Sequence, residues 1–150
     1  CVTRRATNTP PVGSGYTPGA SRASTGTTEA DVAADCDTLA AALGWQVERY
    51  EQGRASRIKQ GIPDRRYVHR RGLRVWVELK APGGKMTADQ HAWLKAELDA
   101  GGMAIAVDSV HVLRHLLTLL ARDAGRGAAW AYCCEVTALV AARGYRKQAA

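Results

Sequence analysis

The stretch from Asp64 to Lys80, DRRYVHRRGLRVWVELK, constrains the fold more than any other. Arg71-Gly72 splits it into two short runs of β-branched and aromatic residues, the pattern of an antiparallel hairpin. Pro63 biases Ile62 toward extended backbone and marks the entry into the first run, Asp64 to Arg70. In the second run, Arg74 to Lys80, alternation sends Val75, Val77 and Leu79 to one face and Trp76, Glu78 and Lys80 to the other. With the turn at Arg71-Gly72, partner numbers sum to about 143, which sets Asp64 within about one residue of Glu78, roughly 5 Å between Cβ atoms for opposed positions.

Two carboxylates this close on a half-buried sheet repel unless a cation neutralises them. Hard oxygen ligands on a rigid strand pair suit Mg²⁺, or Mn²⁺ in its place, completed by water and a substrate phosphate. Lys80, on the face of Glu78, is placed to orient a water and to stabilise charge on that phosphate. An isolated E-x-K reads more readily as a salt-bridged ladder, since alternating charges are common on exposed strands, so the rest of the chain has to discriminate.

Before the hairpin, Thr28 caps a helix over 29–43 with Val32, Cys36, Leu39 and Leu43 on one face and Gly44 as its stop. Glu29 falls on that apolar stripe, where a first-turn glutamate would ordinarily only complement the helix dipole. Trp45 to Glu51 alternates as a first strand, and 52–60 is a polar, basic loop. After the hairpin, Thr87 and Gln90 form a capping box for a helix over 88–100, with the Gln90 side chain near the end of the E-x-K strand. Met103 to Val107 reads as a buried strand, and Ser109 caps a helix with Val110, Leu113, Leu116, Leu117 and Leu120. A last helix, 128–143, carries Trp130, Cys134, Val136 and Val140, an apolar surface that must pack on something, a second subunit being one option. His111 and His115, four apart, invite a zinc reading, but no third ligand is evident and partly exposed helix histidines are the default.

Charge supports a polyanionic partner. The chain carries a net charge of +7, and the window Arg49–Lys85 holds eleven basic residues against three acids, so one basic segment sits on a nearly neutral body. Residues 1–27, rich in Thr, Ser, Gly, Pro and Ala, cannot bury enough apolar surface to offset their ordering entropy and read as a flexible arm. The four cysteines form no C-x-x-C pair. No apolar run is long enough to span a membrane, and the N-terminus lacks a signal-peptide core; the expectation is a soluble, cytoplasmic protein.

The order helix with Glu29, strand, Gly61-Ile62-Pro63-Asp64, strand, Glu78-Leu79-Lys80, Gly84-Lys85-Met86-Thr87, Gln90 and helix, with Ser56-Arg57 between, resembles the PD-(D/E)xK nuclease superfamily and, more narrowly, the VRR-NUC domain. The resemblance covers about 28–115. It implies an α/β, restriction-endonuclease-like αβββαβ core over 28–127, a mixed sheet flanked by helices, with an additional helical extension over 128–150. It implies a Mg²⁺-dependent deoxyribonuclease in which Asp64, Glu78 and the Leu79 carbonyl hold the metal, Lys80 is the catalytic lysine, Glu29 is an auxiliary acid that joins the metal site, and Gln90 stands beside them. Stand-alone members are dimeric and cut branched DNA such as four-way (Holliday) junctions. The expectation is therefore a structure-selective or nicking endonuclease on branched or duplex DNA, acting as a homodimer with no small-molecule cofactor. Arg54, Arg57, Lys59, Arg65, Arg66, Arg70, Arg71 and Lys85 would grip the DNA backbone. A non-cleaving DNA-binding module on the same fold is the alternative.

Overall fold

The computed structural model describes residues 26–50 and 61–147; the expected arm and the loop bearing Arg54, Arg57 and Lys59 lie outside them. Eight elements follow in order: α1 (Glu29–Ala42), β1 (Trp45–Arg49), β2 (Arg65–His69), β3 (Arg74–Leu79), α2 (Ala88–Asp99), β4 (Ala104–Val107), α3 (Val110–Leu120) and α4 (Arg126–Ala141). The strands form one sheet in the order β1-β2-β3-β4, antiparallel across the first two pairs and parallel across β3–β4. The chain is thus α/β, with a mixed four-stranded sheet flanked by helices.

Register follows from the hairpin. Tyr67 pairs with Val75 and Arg65 with Val77, so the same register carried one step further sets Asp64 opposite Glu78. The Tyr50 N–H donates to the Asp64 carbonyl at 2.9 Å and extends that row onto β1. On one sheet face Tyr67, Val75 and Val77 are fully buried. There α1 packs, with Val32, Cys36 and Ala40 as its buried stripe, and Asp37 ties it down. The Asp37 carboxylate accepts from the Tyr67 hydroxyl at 2.9 Å and pairs with Arg65 at 3.2 Å and Arg49 at 3.0 Å. On the other face α2 and α4 gather over β4, where Ala104 and Ala106 leave room for them. Glu48, Tyr50, Arg66, Val68 and Trp76 on β1–β3 of that face remain partly exposed.

Two expectations shift by a helical step. Glu29 is not buried with the stripe: its side chain is half exposed, with Oε2 4.0 Å from Lys80 Nζ. In α4 the buried residues are Ala129, Cys133, Thr137 and Val140, while Trp130 is exposed and Cys134 only partly covered. Trp130 is amphipathic, and its indole N–H donates to the Leu98 carbonyl at 3.0 Å from the rim of the interface. The small face of α4 is what fits closely against β4, so this helix joins the same core as the sheet. Burial pushes the Cys36 and Cys133 thiols up to about 12, which leaves neither a ready nucleophile.

After α4 the chain doubles back as a strap. The Arg146 N–H donates to the Met86 carbonyl at 2.8 Å, and Arg143 pairs with Asp108 at 2.8 Å and reaches the Gly84 carbonyl at 3.3 Å. Tyr145 stacks on His91, with its hydroxyl 2.7 Å from Nδ1. The strap thereby holds the 81–87 turn that links Lys80 to α2.

Candidate active site

Three local devices bring Asp64, Glu78 and Lys80 together. Gly61 has φ +92°, and a Cβ there would lie 2.5 Å from the Asp89 carbonyl oxygen, so only glycine lets the turn before Asp64 rest on the start of α2. From that turn Asp64 Oδ2 accepts the Leu79 N–H at 3.0 Å, which pins the carboxylate to the end of β3. The Lys80 N–H donates to the Val107 carbonyl at 2.9 Å, so its backbone is fixed by the parallel pair.

The charged groups are unusually deep. Glu78 is fully buried and Lys80 only 3% exposed. Lys80 Nζ donates to Glu78 Oε1 at 2.5 Å and lies 4.0 Å from Glu29 Oε2. Among the described residues the buried Glu78 Oε2 finds no hydrogen-bond partner. Burial, and next the charge of Asp64, push the Glu78 carboxyl up to about 7, although Lys80 pulls it the other way. An orphaned, buried carboxylate oxygen beside a second carboxylate is costly as it stands, and a hard cation would relieve both the repulsion and the missing partner.

Of the residues expected around this site, Glu29 comes to Lys80 rather than into a three-carboxylate cluster. Among the described residues no three His, Cys, Asp or Glu side chains converge to hold a metal, so Asp64 and Glu78 stand together as a pair. Gln90 caps α2, its Oε1 accepting the Thr87 N–H at 2.8 Å, which leaves its amide nitrogen as a donor. His111 is exposed and His115 packs edge-on against Tyr132.

The basic residues divide. Arg65 is held by Asp37 on the α1 face, and Arg66 pairs with Glu48 at 2.6 Å on the open face. Lys85 is exposed in the 81–87 turn, its ammonium beside Gly144 of the strap, while Arg70 and Arg71 are exposed at the far end of the hairpin, roughly 20 Å from Asp64 along the strand. Sequence reasoning missed Asp37, which reads as one more polar residue on the outer side of α1, and the strap, whose residues follow no period. Comparison with models of protein families and with curated proteins finds no match.

Proposed function

We propose that the chain is a divalent-metal-dependent endonuclease of the PD-(D/E)xK kind, close to the VRR-NUC domain, that hydrolyses DNA phosphodiesters. The observation that carries this reading is the burial of Glu78 and Lys80 beside Asp64, with Glu78 Oε2 unpartnered among the described residues. A purely structural ion pair would have both carboxylate oxygens satisfied, since an unpaired buried acceptor costs about 1–3 kcal/mol.

Asp64 and Glu78, with the Leu79 carbonyl, would hold Mg²⁺, or Mn²⁺ in its place. When bound, Mg²⁺ supplies charge neutralisation at the scissile phosphate and a more acidic water. Lys80 contributes a fixed positive charge where negative charge builds on the phosphate. Its ammonium is oriented by Glu78 Oε1 and faces Glu29, so Glu29 acts by positioning Lys80. The Gln90 amide nitrogen is available to a phosphate oxygen or a water at the start of α2. Lys85, at the same end of the sheet, meets the DNA backbone, and the chain's net charge of +7 favours the encounter.

Incubation with supercoiled plasmid and with a synthetic four-way junction, in Mg²⁺ and in chelator, tests the reading. Cleavage is expected with the metal alone. Asp64→Ala and Lys80→Ala each lower it at least a hundredfold (about 3 kcal/mol of transition-state stabilisation) while DNA binding persists. Absence of cleavage by the wild type with every divalent cation tried would leave a DNA-binding module in its place. The same junction, compared with linear duplex and measured alongside the mass of the complex, reports branch selectivity and the expected dimer.

A further inference from the structure

The open face of the sheet carries more than the carboxylates. Rows run across the strands: Tyr50, Asp64 and Glu78 in the first, Glu48, Arg66 and Trp76 in the second. Trp76 therefore lies on the face of Glu78, two residues and about 7 Å along β3. The Arg66 guanidinium carbon is 5.1 Å from the Trp76 ring centroid and 5.8 Å from that of Tyr50. The two rings are 5.2 Å apart, and Trp93 of α2 meets Trp76 edge-on at 5.0 Å. Tyr50, Arg66, Trp76 and Trp93 are all partly exposed, so the cluster is a surface, walled on one side by α2.

We infer that this surface is a stacking site for a nucleobase of unpaired DNA, adjacent to the phosphate bound at Asp64 and Glu78. The inference rests on the nuclease reading and narrows its substrate to DNA with unpaired nucleotides beside the cut. Two observations favour a base over a phosphate as the occupant. Glu48 accepts from Arg66 at 2.6 Å, so the pair is neutral overall and draws a second anion less than a lone guanidinium would. What Arg66 still offers is its flat face, which together with Trp76 presents the kind of plane on which bases stack irrespective of sequence. The surface is also continuous with the proposed site through shared strand rows, within the reach of a single nucleotide. Fully paired duplex, whose bases are stacked on one another, cannot use it.

The test uses the full chain in chelator and a DNA oligonucleotide carrying one 2-aminopurine, single-stranded or fully paired. Binding of the single strand is expected to quench both the 2-aminopurine and the protein's tryptophan emission. Trp76→Ala weakens single-strand binding about tenfold and leaves duplex binding unchanged. Because that variant also removes the packing partner of Trp93, Arg66→Gln serves beside it and is expected to weaken single-strand binding in the same selective way. The wild-type quench needs no variant. Single-strand binding without quenching, no single-strand binding, or equal loss on both DNAs in the variants overturns the inference. Parallel cleavage in Mg²⁺ separates the two claims: quenching without cleavage removes the nuclease reading and leaves the stacking site, whereas cleavage without quenching does the reverse.

Discussion

At the scale of single residues, Glu78 links the site to stability. Its ordinary pKa of 4.5 is raised to about 7 in the fold, chiefly by burial and then by Asp64. A carboxyl raised on folding means the folded chain binds more protons than the unfolded one between those values. Stability from this group is therefore complete below pH 4.5 and lost as pH rises through about 7, by on the order of 3 kcal/mol. Thermal melts in chelator across that window should show the wild type losing stability that Glu78→Gln retains, and superimposable profiles would refute the assignment. Gly61 makes the complementary case for the backbone. Gly61→Ala introduces a side chain at φ +92° against the Asp89 carbonyl, and should destabilise by more than about 1 kcal/mol and reduce cleavage by displacing Asp64, measured by denaturant unfolding and the plasmid assay. The carboxylate pair and Lys80 were legible in the sequence because strand period and hairpin register together determine neighbours. The orphaned Glu78 oxygen was not, since burial depth depends on what packs over the strand from elsewhere in the chain.

At the scale of elements, the hold of α1 on the sheet runs through one carboxylate. Asp37 accepts from Tyr67, whose ring is fully buried, and pairs with two arginines. Asp37→Ala leaves the Tyr67 hydroxyl without its partner and should cost about 1–3 kcal/mol, read as a drop in the denaturant midpoint with an unchanged slope. Asp37→Asn, which still accepts from the hydroxyl, should recover part of that loss. Sequence periodicity located α1, α2 and α3 closely because each begins at a capping residue, Thr28, Thr87 and Ser109. It misplaced the start and the phase of α4, where Gly125 offers no side-chain cap and where large residues drew attention from the small ones. Against the alanines of β4, close approach selects Ala129 and Cys133, and hydrophobic size is a poor guide to which face is inside.

At the scale of the whole molecule, the sheet divides labour between its faces. One is sealed by α1; the other is filled over β4 and open over β1 and β2, with the buried charges at the boundary between the closed and open halves. No described helix is long and apolar enough to cross a membrane. The strap from Arg143 to Arg146 braces the 81–87 turn that follows Lys80, and Arg143→Ala removes both the Asp108 pair and the bond to Gly84. We expect it to cost about 1 kcal/mol of stability and to lower cleavage severalfold through the loosened 81–87 turn, checked by thermal unfolding and by a kcat effect larger than that on KM. The strap also sets an order of events in synthesis. Gly84 and Arg143 are 59 positions apart, so the turn after Lys80 receives this support only after the eight described elements have been synthesised. A nascent chain that already carries Asp64, Glu78 and Lys80 therefore lacks this brace until the segment after α4 folds back onto the turn.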